Sequence, residues 1–433
     1  MHIVILGGDG RAYALGKRFV GEGHEVTFIP GNSACRWLGR TLDIPIMQIS
    51  SVVNELAVNR SVDLVVSTTL DFSERGVVDS IHGVPVYGVS AKGVTLEAHR
   101  GLASNLCKNA GIATPEGHTV TVDEAIRIVE EKNMPFVVKW DCLVGGTNVS
   151  VCESVEDTMF ELQRRVTPEV TLQERLYGVE VSFTVTVGDN GEAIGICTVF
   201  EHKRAYDNDL GPMTAEMGSL VLAGVSDKGM ELYKKLQPVL NIIGYRGMLD
   251  INCMLNEETG ELWFIEFTAR FGDPTTEIWV PMIKDELATL MLEWAQGNLV
   301  KPSFTHACGI GVVVAGGGYP FPGQVKQGLP IQFATELQEK GVTGLDWLDF
   351  MSAHVDDKEN VFSNGGRQFV VTGYGNTVSE ARLKAYGRLD GIRLRDMYYR
   401  TDIGAKWVTE KHACIEHGVV QRGMGGFDLW GLR

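Results

Sequence analysis

The first 67 residues alternate between apolar strands and helices, and this alternation constrains the fold more than any other feature of the chain. Residues 2–6, 25–29 and 64–67 read as strands, and helices are predicted over 11–21 and 52–59 between them. A strand–helix–strand–helix–strand series implies a parallel sheet with right-handed crossovers. We therefore predict an α/β protein that begins with a parallel-sheet domain.

The size and net charge of the chain restrict the number of domains and the classes of binding partner. The chain has 433 residues, so two to four domains are expected. A net charge of −16 disfavours a general nucleic-acid or anionic-membrane binder, because either needs a basic surface. The eight cysteines show no CxxC pair and no zinc spacing. Neither a membrane span nor a signal peptide is predicted, and we expect a cytoplasmic protein.

The loop GGDG after the first strand does not satisfy the dinucleotide motif GxGxxG. Its backbone N–H groups are placed to approach a phosphate at the N-terminus of the next helix. A tight structural turn explains the same glycines equally well. The loop alone does not decide between the two interpretations.

The segment from Gly260 to Glu277 carries the strongest chemical signal. It reads as an apolar strand interrupted by Glu266, then Arg270 and a Gly-Asp-Pro turn. A carboxylate in an apolar strand is costly unless it is paired or bound to a metal. A carboxylate for a divalent cation beside an arginine for an anion suits phosphoryl transfer. A buried ion pair between Glu266 and Arg270 is the structural alternative.

Three further segments carry charges that suit a nucleotide site. Lys139 ends an apolar strand, from which an ammonium reaches a phosphate oxygen, although most strand-end lysines are only solvated. Glu174 and Glu180 flank a glycine turn and suit ribose hydroxyls and an adenine amino group, or simply an exposed strand edge. The charged stretch 201–209 suits a loop that closes over a triphosphate, or a solvated surface loop.

Together and in this order, these segments resemble the ATP-grasp ligases, and among them the glycinamide ribonucleotide synthetase family. The resemblance extends to about Lys411 and is carried by HKR with D.D.GP.T..MG, IEF..RFGDP, GGYP and the stretch from NGGR to DIG. It implies an α/β ATP-grasp fold with an N-terminal Rossmann-like domain and a C-terminal α+β domain. The expected domains are 1–112, a small lobe over 113–188, a central domain over 189–302, and 303–433. The last includes an extra tail that is a candidate for partner docking.

The resemblance also implies roles for individual residues. The ATP-binding residues would be Arg100, Lys139, Thr147, Glu174, Leu176 and Glu180. Mg²⁺, or Mn²⁺, would be bound by Glu266 and Thr268. The catalytic residues would be Lys203, Asp209 and Arg270. The substrate-facing residues would be Gly8, Gly10, Arg11, Asn32, Gly211, Pro212 and Arg367.

Three positions on the nucleotide side depart from the family pattern. Thr147 replaces a phosphate-facing lysine, Thr268 replaces a magnesium-site asparagine, and Arg100 replaces a lysine. Removing one charge-assisted contact costs about 1.5–3 kcal/mol when nothing replaces it. A hydroxyl still ligates Mg²⁺ directly, so Thr268 weakens the metal site without removing it.

The substrate side departs further. Residues 68–70 read TTL where the family has GPE, and Glu216 stands where a small residue is expected. A carboxylate added near a substrate loop repels an anionic ligand and attracts an amine. We therefore predict retained ATP chemistry with altered substrate loops.

The reaction that the resemblance implies is the ATP- and Mg²⁺-dependent joining of a carboxylate to an amine through an acyl phosphate. Glycine and phosphoribosylamine, in purine biosynthesis, are the first substrate expectation. One alternative joins a different acid and amine in a specialised or nucleotide-modifying pathway, and another is a degenerate ligase acting as a nucleotide-binding scaffold. The expected partners are small molecules, without nucleic acid or membrane, for a monomer or small homo-oligomer.

Overall fold

The structure is a computed structural model that describes residues 1–140, 149–164, 169–321, 324 and 326–421. Its first part is a five-stranded parallel sheet surrounded by helices. The strands are β1 (His2–Leu6), β2 (Glu25–Ile29), β3 (Arg40–Thr41), β4 (Leu64–Ser67) and β5 (Val86–Tyr87). The helices are α1 (Gly10–Gly21), α2 (Ile46–Val58), α3 (Leu70–Glu74), α4 (Ala91–Ala98) and α5 (Arg100–Asn109). The strand order β3-β2-β1-β4-β5 confirms the parallel sheet that the alternation predicts.

Strands β2 and β4 have the predicted bounds, whereas helix α2 begins six residues before its predicted start at 52. Ile49, Val53 and Ala57 recur every four residues along it and are buried. Its first turns contain β-branched and serine residues, which are weak helix formers. The helix is extended there because its apolar face packs on the sheet, a tertiary effect that local propensity does not report.

The second part is a four-stranded antiparallel sheet with two helices. Its elements are β6 (Gly117–Thr121), α6 (Val122–Lys132), β7 (Phe136–Lys139), β8 (Val149–Val151), α7 (Val155–Arg164) and β9 (Glu169–Glu174). The strand order is β6-β9-β7-β8. The Thr121 hydroxyl caps the first turn of helix α6, and Asn133, at φ 48°, ends it.

The third part begins with a long antiparallel hairpin and continues through residue 295. Its strands are β10 (Val179–Val187), β11 (Ala193–Glu201), β12 (Arg204–Tyr206), β13 (Leu210–Met213), β14 (Gly218–Ala223), β15 (Gly247–Leu255) and β16 (Leu262–Thr268). Its helices are α8 (Asp227–Ile243), α9 (Thr275–Trp279) and α10 (Leu287–Ala295).

The fourth part combines strands that extend the same sheet with a separate small sheet. Its strands are β17 (Cys308–Ala315), β18 (Gln327–Phe333), β19 (Leu348–Phe350), β20 (His354–Val355), β21 (Val361–Asn364), β22 (Arg367–Gly375) and β23 (Ile392–Leu394). Its helices are α11 (Thr335–Gln338), α12 (Val378–Leu389) and α13 (Trp407–Glu416). The small sheet has the order β20-β21-β18-β23.

One eight-stranded sheet, in the order β16-β15-β10-β11-β14-β17-β22-β19, joins the third and fourth parts. Strand β10, which the expected boundary at 188 assigns to the small lobe, pairs with β11 and β15 of this sheet. We therefore propose that the small lobe ends between β9 and β10. The boundaries after 112 and 302 stay predictions.

The predicted tail after Lys411 begins inside α13. Val419 and Val420, which follow this helix, are buried in the main core. Residues 422–433 lie outside the described part of the chain, so docking of a partner there stays a prediction. Within the described ranges, every helix is too short or too polar to cross a bilayer.

Candidate active site

A cavity of about 530 Å³ lies where the four parts meet. Its lining includes Arg11 from the parallel-sheet domain, Lys139 from the small lobe, Glu266 from the eight-stranded sheet and Arg367 from the fourth part. Clefts of this size at domain junctions are the usual place for small-molecule sites. The tertiary structure thus brings together residues that are more than 350 positions apart in the chain.

The floor of the cavity contains a β-bulge in strand β16. Asn252 pairs with Glu266 and Cys253 pairs with Phe264, so Ile265 is the extra residue of the bulge. Both Ile265 and Glu266 line the cavity, which strict alternation along the strand would prevent. Strict alternation therefore fails at this point, because the bulge changes the direction of the Glu266 side chain.

Lys203 lies among three carboxylates on this floor. Its Nζ is 2.7 Å from Glu180 Oε1, 3.1 Å from Glu201 Oε2 and 3.1 Å from Glu266 Oε1. Although burial disfavours the charged form, these carboxylates raise the pKa of Lys203 well above its ordinary value. Lys203 is therefore a fixed cation at the centre of the site.

The Glu266 carboxylate is ionised in this environment. Burial raises its pKa, but Lys203 and Arg100 outweigh that effect and bring the pKa to about 2. Arg100 Nη2 lies 3.8 Å from Glu266 Oε2. An ionised oxygen ligand is what a hard divalent cation requires.

Arg270 is held by Glu97, not by Glu266. Its Nε and Nη2 atoms each lie 3.2 Å from Glu97 Oε1, and the backbone N–H of Ala269 donates to Glu97 Oε2 at 2.7 Å. The alternative of a direct Glu266–Arg270 ion pair is therefore wrong. Glu97 belongs to helix α4 of the first part, so the pair also joins the parallel-sheet domain to the end of β16.

The side of the cavity predicted to bind the nucleotide is lined by residues of the small lobe and the adjoining strands. Lys139, at the end of β7, is buried, and burial together with the Arg100 charge lowers its pKa to about 8. Glu174, Leu176 and Glu180 line the same cavity. Thr147, the remaining predicted ATP-binding residue, lies outside the described residues.

Two arginines line the opposite side, and each is held by a carboxylate. Arg11 Nε donates to Asp9 Oδ2 at 2.9 Å, and Arg367 Nη2 lies 2.9 Å from Asp273 Oδ2. Asp9 also caps helix α1, because its Oδ1 accepts the N–H of Ala12 at 3.2 Å. The N-terminus of α1 and its arginine are thus already engaged by one internal carboxylate.

Models of the phosphoribosylglycinamide synthetase family match three successive stretches of the chain. The N domain matches residues 1–97, the ATP-grasp (A) domain matches 98–276 and the C domain matches 309–406. The chain belongs to this family. Membership confirms the predicted resemblance and the predicted α/β ATP-grasp fold.

Individual relatives agree with the family assignment. The chain is 30% identical to phosphoribosylamine–glycine ligase of Lactococcus lactis, across 94% of this chain and 100% of that one. It is 29% identical to the ligase of Escherichia coli K12, across 93% and 98% of the two chains. The crystal structure of phosphoribosylamine–glycine ligase from Thermotoga maritima has a TM-score of 0.77 and 27% identity, with coverage of 93% and 100%.

The fold extends to more distant enzymes. The biotin carboxylase domain of a 2-oxoglutarate carboxylase from Hydrogenobacter thermophilus, solved with MgADP, has a TM-score of 0.65 at 13% identity. The match covers 92% of this chain and 91% of that one. This likeness shows a shared fold.

Several predicted family positions lie outside the cavity lining. They are Gly8, Gly10, Asn32, Asp209, Gly211 and Pro212. Gly10 packs so closely that a Cβ atom there would overlap the Glu277 carboxylate. The Asn32 side chain accepts the N–H of Ala34 at 2.8 Å within its own turn. These two residues shape the loops around the site.

Asp209, for which a catalytic role is predicted, lies outside the cavity lining, and that role stays a prediction. Its carboxylate lies 2.8 Å from Arg400 Nη1 and also contacts Lys406. Arg400 is fully buried. Asp209 therefore belongs to an ion-pair cluster that ties the β12–β13 hairpin to the C-terminal segment, because a buried guanidinium needs a charged partner.

The sequence interpretation missed Glu97 and Asp250 as residues of the site. Glu97 sits in an ordinary helical segment, and only the tertiary structure places it against Arg270. Asp250 interrupts the apolar strand β15, as Glu266 interrupts β16. The sequence feature that identified Glu266, a carboxylate within an apolar strand, is therefore also present at Asp250.

Proposed function

We propose that this protein is an ATP- and Mg²⁺-dependent ligase that joins glycine to phosphoribosylamine through an acyl phosphate in purine nucleotide biosynthesis. The observation that carries the proposal is the cluster of Glu180, Glu201 and Glu266 around Lys203, next to Lys139 and Arg100. The family membership and the names of the relatives support the same reaction.

In this proposal ATP lies between the small lobe and the eight-stranded sheet. Glu180 accepts hydrogen bonds from the ribose, and the Lys139 and Arg100 charges hold the phosphates. The cations matter because the transferring phosphoryl group and the attacking carboxylate are both anionic. A fixed ammonium and guanidinium reduce their repulsion without reorganising during the reaction.

The donor set at Glu266 and Thr268 suits Mg²⁺, or Mn²⁺ in its place. Mg²⁺ takes oxygen ligands and is usually held by one or two carboxylates together with substrate phosphates. Among the described residues no group of three or more His, Cys, Asp or Glu side chains is arranged to hold a metal on its own. Glu266 and Thr268 therefore fit a Mg²⁺ site whose remaining ligands would come from the ATP phosphates. The ion would neutralise charge on the phosphate oxygens.

After phosphoryl transfer, the amine nitrogen attacks the acyl carbon and inorganic phosphate leaves. The activation is needed because a free carboxylate repels a nucleophile and lacks a leaving group. Arg270, fixed by Glu97, is placed to stabilise charge on the transferring group or on the substrate. We propose that the enzyme works on these small molecules in the cytoplasm, as a monomer or small homo-oligomer.

A second candidate keeps the ATP chemistry but joins a different amine. The observation that favours it is the Asp9 carboxylate, which caps α1 and pairs with Arg11 where a substrate phosphate would otherwise dock. The alternative of a nucleotide-binding scaffold depends on Thr147 and Thr268, which replace a phosphate-facing lysine and a magnesium-site asparagine of the family. Thr147 lies outside the described residues, and Thr268 lines the cavity beside Glu266.

The deciding experiment measures ADP release with glycine and phosphoribosylamine generated in situ. The wild-type protein should require both substrates, and Glu266→Gln should lower turnover at least about a hundredfold because charge stabilisation in the transition state weakens. Glu258→Gln, which changes an exposed carboxylate in the turn between β15 and β16 and outside the cavity lining, is the control. Activity with another amine only would select the second candidate, and absence of any nucleotide binding would exclude both.

A further inference from the structure

Two cross-strand rows of polar side chains cross the floor of the cavity. The rows consist of Ser182, Asn252 and Glu266, and of Thr184, Asp250 and Thr268. Each row runs across strands β10, β15 and β16. Paired residues on neighbouring antiparallel strands present their side chains on the same face of the sheet. The middle strand β15 therefore adds polar groups directly beside Glu266 and Thr268.

Four polar atoms of this patch have no hydrogen-bond partner within the described ranges. They are Ser182 Oγ, Thr184 Oγ1, Asp250 Oδ1 and Asn252 Oδ1. The four residues are 1%, 1%, 4% and 3% exposed, in that order. Buried polar atoms in proteins nearly always have a partner. Unpaired atoms in a patch that borders a cavity therefore indicate where a ligand supplies the missing donors.

Of these four residues with unpaired atoms, only Asp250 lines the cavity. Asn252 uses its Nδ2 to donate to Glu201 Oε2 at 3.1 Å, which leaves its Oδ1 as an acceptor. Asp250 lines the cavity, and a Cβ atom at Gly272 would lie 3.0 Å from its Oδ2. The Asp250 carboxyl thus lies against the turn that follows Arg270. Arg270 itself is occupied by Glu97.

We propose that the Asp250 carboxyl group is the binding subsite for the ammonium group of an amino-acid substrate. This inference rests on the proposed ligase function and specifies how its acid is recognised. An amino acid brings a carboxylate for activation and an ammonium group with three donors. The carboxylate would face the cations around Glu266, and the ammonium would meet the unpaired oxygen of Asp250.

The burial of Asp250 makes this subsite selective. An acid without an amino group would leave the Asp250 oxygen without a donor, and an unpaired buried polar group is the basis of strong discrimination between ligands.

The test measures glycine binding by calorimetry on the full chain saturated with Mg²⁺ and a non-hydrolysable ATP analogue. Asp250→Asn should weaken glycine binding by about tenfold or more, as expected for loss of one charge-assisted contact. Affinity for the ATP analogue should stay within about twofold. Acetate and glycolate, which lack the ammonium, should bind the wild type weakly and show no loss in the variant. Asp43→Asn, the same change at an exposed aspartate outside the cavity lining, is the matched control and should bind glycine as the wild type does.

Asp250→Ser provides a second variant if the asparagine variant does not fold, and it should show the same selective loss. Equal glycine affinity in the wild type and in a folded Asp250 variant would overturn the subsite. Wild-type glycine binding no stronger than acetate binding would also overturn it. Loss of ATP-analogue binding in the wild type itself would instead refute the proposed function, so the two failures are distinguishable.

Discussion

The Lys203 ammonium lies 2.7 Å from the Glu180 carboxylate, so the group predicted to hold the ribose is already paired with an internal cation. The same ammonium lies 3.1 Å from Glu266, the predicted metal ligand. The proposed nucleotide and metal sites therefore share one lysine. A ligand that binds the Glu180 or Glu266 carboxylate would therefore change the ion pairs of Lys203.

Replacing Lys203 tests this link. Lys203→Met should lower the free energy of unfolding by about 3–5 kcal/mol, because it leaves several buried carboxylates without their cation. Chemical denaturation measures the change. Turnover should fall as well, and Lys203→Arg should recover most of the stability. Unchanged stability in Lys203→Met would show that the carboxylates are compensated by other groups.

The low pKa of Lys139 predicts a pH-dependent nucleotide affinity. Below about pH 8 the side chain is charged and attracts the phosphates, and above about pH 8 it is neutral in the empty protein. ATP affinity should therefore decline about tenfold between pH 7 and pH 9, with one pKa unit corresponding to 1.36 kcal/mol. Calorimetric titrations across this range measure the effect. Lys139→Arg should remove the dependence because arginine stays protonated.

Asp209 should matter for stability more than for catalysis. Asp209→Asn removes one of the carboxylate charges paired with the buried Arg400. It should therefore lower the melting temperature by several degrees. The KM for ATP and the turnover number should stay close to those of the wild type. Differential scanning calorimetry and the ADP-release assay measure the two effects. A large loss of turnover without a change in melting temperature would support the catalytic role predicted from the sequence.

Glu216 occupies a backbone position that favours glycine, at φ 85°. It is also buried, and burial together with the Glu201 charge raises its pKa well above the ordinary value. Glu216→Gly should relieve about 1–2 kcal/mol of backbone strain and raise the melting temperature. Glu216→Gln, which keeps the strain, is the control. A lower melting temperature in Glu216→Gly would indicate that the hydrogen bond from Ser219 outweighs the strain.

The local sequence determined the elements and much of the candidate site. Strands β1, β2 and β4 have the predicted bounds, because their apolar pattern acts over a few residues. Lys139, Glu180 and Glu266 were predicted as site residues because charged groups at the ends or in the interior of apolar strands need partners.

Only the tertiary structure decided which charges meet. The Arg270–Glu97 pair joins residues 173 positions apart, and no local pattern marks Glu97 as its partner. The bulge at Ile265 and the pairing of Asp209 with Arg400 likewise depend on strand register and on segments distant in the chain. Local periodicity fixes which face of an element is apolar. The register between elements fixes which polar groups share a cavity, and that depends on packing across the whole molecule.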